Sequence, residues 1–258
     1  MLDIGYINLL LIAAVLVLAS YQDLKTREID DRIWLYAAPV GAVLTVVEYF
    51  TTPGYPLLLA LFSVGLTVAL AFGIFYAGLY GGADAKALIF IAVTMPVYLF
   101  ASTTLSPFYP LTILGNGLAL SLLLIPTLLV VNLVWKVRRG SLFDGISATT
   151  GQKVLALFTG MKVKPSTAMS INFNLIEKVG KGEEGEEREE RRRKGERYLK
   201  LFNTVEDTDE VKVIPKGAEY VWVTPAIPMI VFFLIGYVLA LVGVDIIVKT
   251  VLFFLQGS

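Results

Sequence analysis

Residues 80–86 read YGGADAK and join two apolar runs, LLLALFSVGLTVALAFGIFYAGL before them and ALIFIAVTMPVYLF after them. A carboxylate at the edge of a membrane segment is expensive, because the charge loses its water there. Paired glycines at the same point interrupt a helix. The stretch therefore predicts two membrane helices joined by a short turn, with Asp84 placed there for a functional reason.

The composition of the whole chain points to a membrane protein. Of its 258 residues, 56% are hydrophobic and 17% are charged, and the mean hydropathy is +0.70. Ordinary soluble domains are less apolar. Cys and His are both absent from the sequence, which removes thiolate nucleophiles and the commonest metal ligand and general base. We therefore predict no metal and no other cofactor, and acid–base chemistry that depends on carboxylates, Lys or Tyr.

Six segments are apolar enough to cross a bilayer, which takes roughly 20 residues. They are residues 4–20, 33–49, 56–80, 85–102, 111–137 and 225–255. The last is long and contains Gly236, Gly243, Asp245 and Lys249, so we expect it to be kinked, tilted or split in two. The predicted fold is an all-α polytopic membrane protein with six transmembrane helices and a small mixed cytoplasmic domain inserted before the last one.

This reading divides the chain into three parts. Residues 1–137 form a five-helix membrane part, residues 138–222 a cytoplasmic insertion, and residues 223–258 the sixth transmembrane helix. Within the insertion, residues 178–200 read KVGKGEEGEEREERRRKGERYLK. Because its charges alternate in sign, this segment favours a solvated helix or linker over a nucleic-acid site.

Basic residues predict the orientation of the chain, because Lys and Arg collect in cytoplasmic loops. They follow the first, third and fifth spans, as Lys25, Arg27, Arg32, Lys86, Lys136, Arg138 and Arg139. The loops on the other side, EYFTTPGYP and ASTTLSPFYP, contain none. The N-terminus is thus expected outside and the charged loops inside, in a multi-pass protein of the plasma membrane.

Several ionisable residues in or near the spans have simple explanations. Asp3 and Glu48 lie near the outer ends of their spans, where we expect them to be solvated. Asp245 and Lys249 are four residues apart on one predicted helix, where a local ion pair accounts for both.

Asp23 and Asp84 are different, because both lie at the predicted cytoplasmic end of a span. If their helices are neighbours, the two carboxylates form a pair within the five-helix membrane part. Two carboxylates in a pocket of low dielectric share one proton, because both cannot easily ionise. An aspartic protease operates in this way: the ionised member takes a proton from water, and the protonated member donates to the scissile carbonyl.

The contexts of these two aspartates resemble those of the type IV prepilin and preflagellin peptidases, and the archaeal branch looks closest. These are membrane aspartic proteases with a GxGD motif, which resembles GGAD in GGADAKAL, while SYQDLKTREIDDRIW resembles the region of the first aspartate. The similarity extends through six spans, the insertion and VWVTPAIP. It implies that Asp23 and Asp84 are the catalytic pair and that Gly81, Gly82 and Ala83 form the motif backbone. Ala83 stands where the motif has Gly, so a positive φ there would be strained.

The resemblance also implies the substrates, which are membrane-anchored pilin-like or archaellin precursors with short basic leaders cut at the cytoplasmic face. The cysteine-rich insert linked to N-methylation in bacterial relatives is missing, so we predict cleavage only. Glu28, Asp30 and Asp31 lie beside Asp23 and could attract a basic leader, although ordinary solvation of a helix end explains them equally well. Asp84 opens a helix and Asp23 closes one, which favours Asp84 as the ionised base and Asp23 as the protonated acid. Arg27 would oppose this if it reached Asp23.

Three alternatives stay open at this point. A proton- or cation-coupled transporter could use the same carboxylates, although both lie near one face and no inverted repeat is visible. A protease that cuts within helices, as presenilin-like proteins do, is the second. The third is a catalytically silent scaffold of an assembly machine.

Overall fold

The computed structural model describes most of the chain and divides it into two compact units. The described residues are 4–26, 28–78, 80–99, 106–170, 174–179, 197–199, 218–225 and 228–256. One unit is Met1–Ser121 together with Pro228–Ser258, and the other is Leu122–Ile227. Asp3, Arg27 and most of the predicted charged segment 178–200 lie outside the described residues.

Helices make up most of the described structure. In chain order they are α1 (Ile4–Thr26), α2 (Asp31–Thr51), α3 (Leu57–Tyr76), α4 (Gly82–Thr94), α5 (Tyr109–Ser121), α6 (Leu124–Arg139), α7 (Thr150–Thr159), α8 (Pro165–Ser170), α9 (Met229–Leu241) and α10 (Ile246–Gln256). The first unit contains α1 to α5, α9 and α10, whereas α6, α7 and α8 belong to the second unit.

Among the described residues, four stretches of helix are long and apolar enough to cross a membrane. They are Ile4–Thr26, Asp31–Thr51, Leu57–Tyr76 and Tyr109–Arg139, and the pair α9 and α10, bent by 59°, makes a fifth if it counts as one span. Many apolar side chains on the first three helices are exposed, including Leu58 at 83% and Phe50 at 77%. A soluble surface rarely carries so much apolar area, so these faces are suited to lipid, as in a polytopic membrane protein.

The fourth predicted span differs from the prediction, so six spans are not confirmed. Instead of residues 85–102, α4 covers Gly82–Thr94, which is 13 residues. It ends there because Pro96 disfavours the helical conformation of Met95, whose φ of −149° is extended. At a rise of 1.5 Å per residue, α4 is about 20 Å long, against a hydrocarbon core of about 30 Å.

Protein surrounds α4 within the first unit. It packs against α1, α2, α3, α5 and α9. Its side chains form the core with residues of α1 and α9, among them Leu88, Phe90, Ile91, Ile12, Leu16 and Phe233. A helix enclosed in this way is held by packing and does not need the full length of a lipid-facing span.

The last predicted span is split into two helices, which is one of the three forms expected for it. Gly243, with φ of +75°, follows the end of α9. Asn116 of α5 stabilises the break: its amide donates to the carbonyls of Gly236 and Val244, and its oxygen accepts from the amide of Ile246. The contacts with Val244 and Ile246 satisfy backbone groups that the break leaves without helical partners.

The predicted ion pair between Asp245 and Lys249, at the same break, is wrong. The Asp245 carboxylate is 3% exposed and accepts from the amide of Val248 at 3.0 Å, which caps α10, and from the hydroxyl of Thr112 at 2.8 Å. The described structure contains no salt bridge between Asp245 and Lys249. The residue therefore joins the start of α10 to α5.

Glu48 is also not solvated, contrary to the expectation for the outer end of its span. Its side chain is 3% exposed and accepts a hydrogen bond from the Asn8 amide at 2.9 Å. The partner lies 40 residues away on α1. Glu48 thus ties α2 to α1 inside the first unit.

The second unit combines α6, α7 and α8 with short strands. These are β1 (Ile146–Ser147), β2 (Met161–Val163), β3 (Asn174–Leu175), β4 (Glu177–Val179), β5 (Arg197–Leu199) and β6 (Val221–Thr224). One sheet has the order β1-β5-β4 with β1 and β5 parallel, and the other has the order β2-β6-β3 and is antiparallel. Trp222 of β6 is buried, stacks on Phe143 and donates its indole N–H to the carbonyl of Leu142.

Candidate active site

Asp23 lies in the last turn of α1 and is half-buried. The turn that follows is fixed by side chains: the Thr26 hydroxyl bonds the carbonyls of Gln22 and Glu28, at 3.0 and 2.8 Å. The Gln22 side-chain oxygen accepts from the amide of Asp30 at 3.0 Å. These contacts hold the end of α1 against the start of α2, and with it the backbone that carries Asp23.

Asp84 lies in the first turn of α4, also half-buried. Gly81 is the N-cap residue, and its amide donates to Oδ2 of Asp84 at 3.0 Å. The carboxylate therefore folds back over the N-terminus of its own helix, where the helix dipole favours a negative charge.

The motif backbone does not need the freedom of glycine that the sequence suggested. Gly81 has φ of −73°, and Gly82 and Ala83 are already helical residues of α4. Ala83 is therefore unstrained, and its departure from the GxGD pattern causes no backbone strain.

Gly78, three residues before the motif, is the glycine that ends the preceding helix. Its φ is +69°, and its amide donates to the carbonyl of Phe75 at 2.9 Å in the last turn of α3. A glycine in this conformation just after a helix is a common stop signal. Gly78 is not among the predicted motif residues, although its position after a long apolar run was the signal that could have revealed it.

The structure brings the two predicted aspartates into one neighbourhood of the first unit. α1 packs against α4, and the Asp23 and Asp84 carboxylates are near enough to repel each other. One of them is held by a backbone amide at a helix N-terminus, and the other lies at a helix C-terminus. Such unequal carboxylates are suited to acid–base work on water.

The three acidic residues predicted to meet a leader have different surroundings. Asp30 is the N-cap residue of α2 and accepts from the amide of Arg32 at 2.9 Å. Asp31 accepts from the Lys86 ammonium at 2.6 Å, in an exposed ion pair between α2 and α4. Glu28 is exposed. The ion pair of Lys86 could not be predicted from the sequence, because its partner Asp31 lies 55 residues away.

An open groove lies along the end of α1 and the turn after it. Its volume is about 480 Å³, and it is lined by Tyr21, Gln22, Lys25, Thr26, Glu28, Ile29 and Asp30. The volume is within the range that binds small ligands or a few side chains. In the described part of the chain, no three acidic side chains cluster as metal ligands would.

Two family models match successive parts of the chain. The model of the type IV leader peptidase family covers residues 10–135, which include both aspartates. The model described as archaeal peptidase A24 C-terminus type II covers residues 152–246. The chain belongs to the type IV leader peptidase family. It is therefore a protease of the prepilin peptidase type.

Full-length relatives agree with the family models. The preflagellin peptidase of Methanococcus maripaludis is 27% identical over 233 residues, which cover 86% of this chain and 88% of the relative. That of Methanococcus voltae is 26% identical, covering 87% and 89%. That of Methanocaldococcus jannaschii is 27% identical, covering 90% and 92%. Each similarity runs through both units, and none favours the transporter alternative.

Proposed function

We propose that this peptidase removes short basic leaders from membrane-anchored pilin-like and archaellin precursors, with Asp23 and Asp84 as its catalytic pair. One observation carries the proposal: two half-buried carboxylates from separate helices lie within range of each other's charge. The names of the relatives, preflagellin peptidases, support a precursor of the flagellin kind.

The reaction uses the pair as base and acid in turn. Asp84 takes a proton from water, the hydroxide oxygen bonds to the scissile carbonyl carbon, and Asp23 gives its proton to the carbonyl oxygen. The resulting diol collapses as the C–N bond breaks. Asp84 then gives its proton to the leaving nitrogen, and Asp23 regains one from a diol hydroxyl, so both residues return to their starting state.

The assignment of Asp84 as the base rests on its surroundings. Burial of the Asp84 side chain favours its protonated form. The Gly81 amide opposes this, because it donates to the carboxylate and a backbone donor at a helix N-terminus favours the charged form. Asp23 is in the last turn of α1, where the dipole disfavours an anion. The pair exchanges protons as a unit, so the assignment describes the resting distribution of one shared proton.

The groove at the end of α1 is the proposed place for the leader. Glu28 is exposed on its wall, whereas Asp30 caps α2 and Asp31 already pairs with Lys86. Of the three acidic residues, Glu28 is therefore the best placed to attract a basic leader side chain.

The membrane placement follows from the basic residues. α6 ends with Lys136, Arg138 and Arg139, and Lys25 is in the last turn of α1. We place these ends on the cytoplasmic side and the N-terminus outside, in the plasma membrane. Residues 1–137 and 223–258 are then the membrane part, and residues 138–222 the cytoplasmic insertion.

Cleavage of purified precursors tests the catalytic pair. Wild-type protein, Asp23→Asn and Asp84→Asn are compared on archaellin and pilin precursors in detergent. Loss of general acid–base action lowers the rate by on the order of 10²–10⁴-fold or more, so both variants should be nearly inactive.

Asp144→Asn is the matched control, because Asp144 is an exposed aspartate of the second unit. This variant should cleave the precursors at the wild-type rate. Near-normal cleavage by either Asp23→Asn or Asp84→Asn would remove that residue from the pair. Failure of the wild type on every precursor, together with ion flux in proteoliposomes, would support the transporter instead.

A further inference from the structure

Helix α7 has an apolar face that points away from the core of the second unit. Ala156 is fully buried, whereas Val154 and Phe158 on the opposite face are 49% and 37% exposed, and Leu155 on the flank beside them is 36% exposed. The helix is well defined, because Thr149 caps it and Gln152 bonds back to the cap. An exposed apolar stripe on a short, capped helix needs a partner.

One buried side chain of α6 binds the end of α7. Asn132 of α6 is 1% exposed, and its amide donates to the carbonyl of Leu157 at 2.9 Å and to that of Gly160 at 2.8 Å. These two carbonyls are at the C-terminal end of α7. The end of α7 therefore lies level with Asn132 along α6.

Asn132 lies on the apolar side of the basic end of α6. Lys136 and Arg139 follow it by four and seven residues, which is about 6 to 10 Å along a helix. Basic side chains at the end of a span lie at the headgroups. With α6 as part of a span, the C-terminal end of α7 lies deeper than the headgroups.

The free surface of α6 continues to the same depth. Its exposed apolar side chains include Val130, Val131, Leu133, Val134 and Val137, all at least 41% exposed. α6 also belongs to the stretch Tyr109–Arg139, which is long and apolar enough to cross a membrane. Lipid is therefore expected around α6 at the level where α7 is attached.

We propose that α7 is an interfacial membrane helix, which inserts Val154, Leu155 and Phe158 into the lipid at the cytoplasmic face. Interfacial helices bury their apolar face about 5–10 Å below the headgroup boundary, which agrees with the offset between Asn132 and the basic end of α6. Lys153 on α7 adds a positive charge for anionic headgroups. The second unit is then held to the bilayer at two points, α6 and α7. This inference rests on the proposed membrane placement of α6 and not on the catalytic pair.

The absence of cysteine in the sequence makes a direct measurement possible, because a single introduced cysteine is the only site for a spin label. Phe158→Cys and Val154→Cys are labelled in the full chain, reconstituted in bilayer nanodiscs that contain anionic lipid. Asp144→Cys is the control, because Asp144 is exposed in a turn of the same unit. Relaxation by oxygen and by a water-soluble nickel complex gives the depth of each label.

The labels at 158 and 154 should lie about 5–10 Å below the phosphates, with high oxygen and low nickel accessibility, and the label at 144 should lie in water. Nickel accessibility at 158 and 154 equal to that at 144 would overturn the proposal. So would low accessibility to both reagents, or spin–spin broadening between copies, because a protein would then cover the face. The readout does not involve cleavage, so it stands or fails independently of the proposed catalytic pair.

Discussion

At the scale of single residues, the glycines in the turn before Asp84 have different structural roles. Gly78 ends α3 with a positive φ, and Gly81 uses its amide to hold the Asp84 carboxylate. The motif Gly81-Gly82-Ala83-Asp84 needs an amide at its first position, which every residue except proline can supply. The conformational demand falls on Gly78 instead.

Alanine substitutions should separate these two tasks. Gly78→Ala should lower the free energy of unfolding by about 1–2 kcal/mol, because an L-residue is strained in the left-handed region. Gly81→Ala should be nearly neutral, because the added Cβ would meet only Oδ2 of Asp84, at an ordinary 3.4 Å. Thermal unfolding in detergent measures both, and equal losses would contradict this division.

Glu28 should act on substrate binding alone. Because the side chain is exposed, its attraction for a basic leader is screened, and Glu28→Gln should raise KM by about two- to fivefold at low salt with kcat unchanged. A precursor whose leader lacks Lys and Arg is the control and should show no difference. A change in kcat, or an equal effect on the neutral leader, would exclude the proposed contact.

At the scale of elements, α5 and α9 approach so closely that only glycine fits between them. A Cβ on Gly236 would lie 2.6 Å from the carbonyl oxygen of Ile113 and 2.9 Å from the amide nitrogen of Gly117. On Gly117 it would lie 3.1 Å from the carbonyl oxygen of Phe232. Small residues allow helices in membranes to pack at short distance, where dispersion and backbone contacts are strongest.

Gly236→Ala should therefore destabilise the first unit. Pushing backbone apart in a packed interface costs about 1–3 kcal/mol, which should appear as a lower Tm in detergent. Gly65→Ala in α3 is the matched control, because no atom lies within 4 Å of its added Cβ, and it should be neutral or slightly stabilising. A Tm for Gly236→Ala equal to that of Gly65→Ala would show that the helices can move apart freely.

At the scale of the whole molecule, the first unit is made from both ends of the chain. The Tyr237 hydroxyl of α9 donates to the carbonyl of Leu9 in α1 at 2.7 Å, across 228 residues of sequence. Ser20 of α1 bonds the carbonyl of Ile230 in the same way. The described part of the second unit has its own buried cluster around Trp222.

Substitution of two buried tyrosines tests the hydrogen bond between α1 and α9. Tyr237→Phe removes the bond to Leu9 and should cost about 0.5–1.5 kcal/mol of stability. Tyr109→Phe should be neutral or stabilising, because its buried hydroxyl has no hydrogen-bond partner in the described structure and removing it relieves an unpaired polar group. Chemical unfolding in mixed micelles compares the two. A larger loss for Tyr109→Phe would reverse the argument.

Local features of the sequence predicted much of this arrangement, and long-range partners explain what it missed. Apolar length located α1, α2 and α3, and the paired glycines located the start of α4 beside Asp84. The burial of Glu48 could not be predicted, because it depends on Asn8, 40 residues away. The role of Asp245 depends on Thr112, 133 residues away. Pro96 indicated that α4 would be short, but the apolar residues after Pro96 led to the prediction of a longer span.

The bond between Tyr237 and Leu9 also has a consequence for how the protein is made in the cell. α1 leaves the ribosome first, but its partner on α9 is 228 residues later in the chain. At about 5–20 residues per second, the delay is on the order of 10–45 seconds. During that time the side of the newly inserted α1 that later packs against α9 contacts only lipid or the insertion machinery. The enzyme therefore reaches its final form late, after the last helix has been released into the bilayer.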